Sequence, residues 1–380
     1  MPKTMKNKFN DALTYDKLME AHLKCQKGKK SRENVIKFNM KKEEYIQWLY
    51  EQIKNRTYKH RKYTIFYVSE PKKRKIEAAR YLDRVVHRWC YDNFLEPLFV
   101  PIFIQNSYAC IKGRGMHAAA LDVQKAMRRC KRKWGDYYVL KMDISKYFYN
   151  LDHKIIKQIV REKIKDKDVL KIIDSIIDST NEKYINEKII KLKENEKTRI
   201  LNSNNKNKKE LLQEIEKLPI YQNGKGVCIG NMVSQIVATF YLDKLDKYIE
   251  NVLGIKAHVR YMDDFYCMHQ DKSYLKKCLE KIKDYLKEFK LTLNSKTKIY
   301  SSIEGIEFLG FVFYNKGSKI YMNLTNKTKK KFKKKMKIKN LKYINNIISK
   351  EKYLGVRNSY RGHLSYGNCY SLYTKYVLNI

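Results

Sequence analysis

Two short stretches of bulky, β-prone residues that end on bare carboxylates constrain this chain more than any other feature. In VRYMDDFYCM, residues 259–268, Val259, Tyr261 and Met262 precede Asp263 and Asp264, and Phe265, Tyr266 and Met268 follow them. The pattern predicts two strands joined by a two-residue Asp-Asp turn, a hairpin with acids at its tip. Asp is also an ordinary turn former, so the pair alone says little. Residues 136–142, DYYVLKM, predict a buried strand that runs straight into Asp143. A third acid at a strand end completes the set.

Carboxylates from a hairpin and a neighbouring strand can hold two Mg²⁺ ions roughly 3.5 to 4 Å apart, the arrangement for in-line attack on a phosphoryl group. They suit because Mg²⁺ takes hard oxygen ligands and leaves positions for substrate phosphates. The charge balance points the same way. With 82 Lys and Arg against 40 Asp and Glu, the formal charge is +42, which calls for a polyanion and makes clustered acids an exception. Part of that excess is a bias towards Lys, Asn and Ile. Membrane lipid is also a polyanion, but no 18-residue apolar run occurs and the N-terminal MPKTMKNKFNDALTYDKL lacks the apolar centre of a signal peptide. The expectation is an intracellular protein with no membrane partner.

At 380 residues, 43% hydrophobic and 13% aromatic, the chain can fold two or three lobes around a sizeable core. Its eight cysteines form no CxxC and no close Cys/His cluster, so neither a zinc site nor a disulfide framework is indicated. His87, His117, His153 and His363 are dispersed and read as packing or phosphate-contacting groups, not metal ligands. No repeat and no Pro/Gly-rich linker appears, so the lobes are interleaved along the chain.

Residues 41–54 and 79–98 have helical apolar spacing. Between them YTIFYVSEPKKRKIEAAR alternates like a hairpin with a basic tip at Lys72, Lys73, Arg74 and Lys75. Short helices follow Asp152. The polar stretch at about 185–218 has little to bury and reads as an exposed insertion. From Asn231 to Glu250, residues including Val233, Ile236, Phe240 and Leu245 trace one apolar helix face behind the Gly-marked loop GKGVCIG. Residues 327–342 carry ten lysines on a predicted helix whose Phe332 and Met336 share a face. A solvated tail has similar charge, but the following YINNII favours a packed cationic helix.

VLKMDISKYFYNLDH around Asp143, GKGVCIGNMVSQIVATFYLDKLD, the YMDD box and IEFLGFVFY resemble the ordered palm motifs of reverse transcriptases, from about residue 60 to the end. IGNMVSQ, NSYACIKGRGMHAAA, RYLDRVVHRW with LEPLF, and NSYRGHLSYGNCYSLY are similar to the diversity-generating retroelement branch. Ile229-Gly230 and Ser234-Gln235 stand where other branches usually carry Gln-Gly and Ser-Pro. The insertion departs from that branch's compact pattern.

The resemblance implies an α+β, right-hand polymerase fold with fingers, palm and thumb and an antiparallel palm sheet. The N-terminal fingers would span 1–135, the palm 136–155 and 221–318, a connection with the insertion 156–220, and the thumb 319–380. It implies an RNA-templated DNA polymerase, a cytoplasmic protein encoded by a bacterium, an archaeon or a phage. Its partners would be template RNA, cDNA, dNTPs and an accessory variability protein that oligomerises.

The residue roles carried over are these. Asp143 and Asp263, with the Ile144 carbonyl, ligate two Mg²⁺ ions, and Asp264 supports them. Phe148 packs under the sugar and excludes a 2′-hydroxyl, although an aromatic there would equally serve as core. Arg74 grips the triphosphate, with Lys72 and Lys73 as weaker candidates. Ile229, Gly230, Asn231 and Gln235 line the nucleotide. Ile229 cannot hydrogen-bond the base pair, which implies error-prone copying opposite adenines. It would also serve simply to pack the loop. Lys296 binds phosphate or protonates pyrophosphate, the former ranking higher. Phe308, Leu309 and Gly310 form a primer grip, and the cationic helix holds the duplex by salt-sensitive contacts. The competing readings are a defence-associated or abortive-infection reverse transcriptase, and a non-catalytic RNA-binding protein on the same fold.

Overall fold

The computed structural model describes residues 4–68, 73–205 and 207–378. Contacts divide the chain into two compact units, both discontinuous in sequence. The first comprises 1–103, 145–244 and 286–292; the second comprises 104–144, 245–285 and 293–380.

The first unit is mainly helical. Thr14, Asp152 and Asp166 start the helices Tyr15–Gln26, His153–Lys163 and Lys167–Asp178 by accepting backbone N–H groups that the first turn leaves unpaired. The helix expected over 41–54 is Lys42–Lys54. That expected over 79–98 is Tyr81–Cys90, which widens into a π-helical turn at Tyr91–Leu95 and resumes at Glu96–Phe99. Strands β1 (Thr64–Val68) and β2 (Arg74–Ala78) form the expected antiparallel hairpin.

The hairpin's chemistry differs from that of a basic tip. Lys72 lies outside the described residues. Lys73 is ion-paired with Glu196, and Lys75 is wholly buried beside Glu77. Strand alternation explains this, because Lys75 and Glu77 both fall on the inward face of β2.

Two further expectations are corrected. The insertion is a helical hairpin, Lys183–Leu201 and Lys208–Glu216, with Ile185, Ile189, Ile200 and Ile215 buried. Ile185 and Ile189 join Tyr63, Ala79, Tyr221 and Cys228 in one core cluster. A few isoleucines at helical spacing suffice to anchor a segment that is otherwise polar. The single helix read from 231 to 250 ends at Tyr241, and a short helix, Asp243–Lys247, follows. Residues from Val233 to Tyr241 are buried almost all round, so this is a core helix and not a one-faced one.

The second unit is built on the four-stranded antiparallel sheet β4-β5-β3-β6, with β3 Tyr138–Asp143, β4 His258–Tyr261, β5 Asp264–His269 and β6 Lys298–Ser301. A three-stranded sheet, β7 Ile306–Phe308, β8 Phe311–Lys316 and β9 Lys319–Leu324, shares its core. The helix Met116–Trp134 contributes Ala119, Ala120, Val123 and Met127 to this core, and its Gln124 donates to the Ile320 carbonyl at 2.9 Å. The lysine-rich segment is the helix Asn326–Ile344, which buries Phe332 and Met336 as their spacing predicts. Phe332 meets Tyr360 of the next helix, Lys350–Leu364, edge-on at 4.8 Å.

Candidate active site

Strand pairing carries two acids together. Asp143 is the last residue of β3 and Asp264 the first of β5, and the two are directly opposed across the antiparallel ladder. Opposed residues project to the same side of a sheet, so both side chains leave one face. The turn is one residue earlier than its sequence implies. Met262 and Asp263 form the two-residue loop, while Asp264 already pairs with Tyr261. Met262 adopts φ 58°, the left-handed value that primed hairpin turns require at their first position and that a bulky side chain resists. The Asp263 carbonyl accepts the Ile144 N–H at 3.3 Å, which ties the turn to the end of β3.

Several groups hold these acids. Arg260 of β4 is completely buried; its Nε donates to Asp246 at 2.8 Å and its Nη1 to the Met262 carbonyl at 3.1 Å, so a buried ion pair braces the turn. Asn294 donates its side-chain amide to Asp143 Oδ2 at 3.2 Å and its backbone N–H to the Asp143 carbonyl at 2.7 Å. Tyr266 lies on the same face. Burial pushes its hydroxyl well above the ordinary phenol value, and the charges of Asp264 and Asp143 add to the effect. Arg260, Asp246, Asn294 and Tyr266 were not picked out as site residues from the sequence. Arg260 and Tyr266 were in view inside the acidic box, and only their burial distinguishes them.

Expected primer-grip residues sit against the same face. Phe308 meets Tyr266 edge-on at 4.6 Å, and the Glu307 carbonyl accepts both the Tyr266 hydroxyl and Lys141 Nζ, the latter at 2.9 Å. Leu309 and Gly310, φ 51° and 85°, form the two-residue β7–β8 turn. The Gly310 carbonyl accepts from the Thr325 N–H at 3.0 Å and the Thr328 hydroxyl at 3.3 Å, at the start of the lysine helix. Lys296 is exposed, and its N–H donates to Asn294 Oδ1 at 3.1 Å, on the loop that also holds Asp143.

The groups that could hold a metal here are Asp143, Asp263 in the turn and the Ile144 carbonyl, with Asp264, opposite Asp143, beside them. Among the described residues no three or more His, Cys, Asp and Glu side chains gather into a ready metal cage. Hard oxygens from one or two carboxylates nevertheless suit Mg²⁺, which draws its other ligands from water and substrate phosphates.

The remaining expected residues belong to the first unit, where three segments meet. Glu77 of β2 accepts the Ile229 N–H at 3.1 Å, and the Phe148 carbonyl accepts the Val227 N–H at 2.8 Å. The loop before the core helix is thus pinned between β2, whose first residue is Arg74, and the chain carrying Phe148. Gly226, at φ 85°, has no room for a side chain, since a Cβ would stand 2.6 Å from Tyr221. Gly230, at φ 110°, has space but a conformation that favours glycine. Asn231 is turned inward, donating to the Tyr63 hydroxyl at 2.7 Å, so its amide is used within the core. Gln235 is half-buried on the core helix. Lys75 Nζ lies 3.0 Å from Glu77 and 4.0 Å from the Tyr221 ring centre. Burial lowers the lysine's pKa and raises the carboxyl's, each partly opposed by its partner.

No curated protein matches the chain in a sequence comparison. Among solved structures, it is similar to apo telomerase from Candida tropicalis truncated from its C-terminal domain. The match has a TM-score of 0.46 and 12% identity over 69% of this chain, and this chain spans 55% of that one. Residues 54–313, well over half of the chain, match the family model for reverse transcriptase (RNA-dependent DNA polymerase); the chain belongs to that family and has its right-hand polymerase fold.

Proposed function

We propose that the protein copies the template-repeat RNA of a diversity-generating retroelement into cDNA, with frequent errors opposite adenines, for mutagenic retrohoming. The observation that carries the polymerase reading is the cross-strand register of Asp143 with Asp264, with Asp263 in the adjoining turn. Asp143, Asp263 and the Ile144 carbonyl would hold two Mg²⁺ ions, with Asp264 supporting them; bound there, the ions would activate the primer 3′-hydroxyl and neutralise charge on the transferred phosphoryl group. Arg74 binds the triphosphate, Phe148 sets deoxyribose preference, and the loop from Ile229 to Gln235 meets the nascent pair. Lys73, held by Glu196, takes a lesser part. Lys296 binds phosphate. Phe308, Leu309 and Gly310 place the primer, and the lysine helix forms the thumb. An accessory variability protein oligomer is the further partner.

The mutagenic reading rests on Ile229, whose side chain offers no hydrogen bond to check the pair. The test is to sequence cDNA made by the purified protein on the RNA flanking its own gene. Errors concentrated at template adenines, reduced in Ile229→Gln, are expected. Uniform errors would count against the mutagenic reading and leave a defence-associated polymerase, whereas an adenine bias untouched by the substitution would count against Ile229 as its cause. A chain without synthesis would be the RNA-binding alternative.

A further inference from the structure

We propose that a cleft between the N-terminus of the Met116–Trp134 helix and the two C-terminal helices seats a backbone phosphate of nucleic acid, and that His117 and His363 take up a proton when it is filled. The cleft has a volume of about 560 Å³ and is lined by His117, Lys335, Lys352, Ser359, Tyr360 and His363 among others. That lies within the roughly 300–1,000 Å³ of ordinary ligand pockets. No carboxylate is among its lining residues.

The histidines are fixed in place. His117 Nε2 and His363 Nδ1 are 2.8 Å apart, so one ring donates and the other accepts. His117 stacks on Tyr366 at 4.1 Å, and Phe311 stands 5.1 Å from the His363 ring centre. Burial lowers the pKa of both rings, and His117 lowers that of His363 further. The charged side chains lining the cleft beside them are both cationic: Lys335 from the lysine helix and Lys352 from the last long helix. Ser359, Tyr360 and Tyr366 are neutral, and Met116 and Phe311 are apolar. Nothing lining the cleft favours the imidazolium, so an entering anion supplies what the site lacks.

The anion's source follows from continuity. Lys335 belongs to the helix that carries the ten-lysine run, so a phosphodiester strand lying along that helix reaches the cleft without leaving it. The Met116–Trp134 helix begins at Gly115 without a side-chain cap, which adds unpaired N–H groups at the cleft's edge.

The sign follows from linkage. If phosphate raises the rings' proton affinity, binding takes up protons, and affinity is greatest at low pH and falls as pH rises from the lowered values of the empty rings towards the higher values of the filled cleft. The loss is at most about tenfold per pH unit for one proton.

This inference rests on the polymerase reading, and its test uses binding without synthesis. Full-length protein is titrated calorimetrically with an RNA–DNA hybrid duplex, in buffers of differing ionisation heat. Net proton uptake near neutral pH is expected. His117→Gln/His363→Gln should lose the uptake, and His363→Asn serves if the double variant does not fold. Lys335→Gln should keep the uptake and lessen the salt slope by about 0.9. Uptake unchanged in the histidine variants overturns the proposal, as does equal uptake with inorganic phosphate or pyrophosphate, which would mark a small-anion site. Asp143→Asn separates the readings: retained synthesis sinks the polymerase, whereas lost synthesis with no proton uptake in the unaltered protein sinks only this seat.

Discussion

At the scale of residues, the chemistry rests on few side chains. Asp143→Asn removes one negative charge without changing size, and if it removes about 4 kcal/mol of transition-state stabilisation, synthesis falls roughly 10³-fold. A primer-extension assay checks this beside a thermal melt, which should be unchanged because Asp143 is only half-buried. Arg260→Met has the opposite signature. It strands Asp246, which has no solvent exposure, and should cost about 3–5 kcal/mol in denaturant unfolding. A smaller loss would mean that Asp246 is not left without a partner when Arg260 is removed. The acids were legible in the sequence because three carboxylates among strand formers are an anomaly. Their braces were not, since an arginine within RYMDD looks like any other of 82 cations until burial singles it out.

At the scale of elements, the insertion teaches most. Its sequence reads as solvated, because lysine, glutamate and asparagine outnumber the apolar residues. Ile185 and Ile189 are nonetheless fully buried among aromatic neighbours, and hydropathy averaged over the stretch hides two residues one turn apart. Ile189→Ala should therefore cost about 2–5 kcal/mol, and Leu201→Ala, at 56% exposure, no more than about 0.5. Equal costs in chemical denaturation would refute the anchoring. The hairpin of β1 and β2 was legible from alternation, but which face its lysines take depends on a register that only the fold supplies. The misplaced YMDD turn has the same cause. An Asp-Asp pair is a sound turn candidate, yet pairing of Asp264 with Tyr261 moved the loop back to Met262.

At the scale of the whole molecule, titration acts on stability. Burial holds the pKa values of His22, His60, His87, His117 and His363 below the usual histidine value. The unfolded chain takes up those protons near pH 6.5 while the folded rings stay neutral. Stability is thus present above that pH and lost as pH falls through it towards the lowered folded values. Glu77, raised by burial, acts in the opposite sense, but it is one carboxyl against five rings. The melting temperature should drop between about pH 7.5 and about pH 5.5; a flat or rising profile would show the rings protonated in the folded state. None of the eight cysteines is in a disulfide, so reductant should leave the same profile unchanged.

One feature of the second unit reaches beyond any single residue. From the first turn of the lysine helix, Thr325 and Thr328 clasp the Gly310 carbonyl; Phe308, just before that turn, abuts Tyr266, which is two residues from Asp264 on β5. Every joint is a hydrogen bond, a ring contact or a strand. If nucleic acid lies along the cationic helix as proposed, a pull on that helix would reach the carboxylates through these joints, and holding the strand and aligning the acids would be one mechanical act.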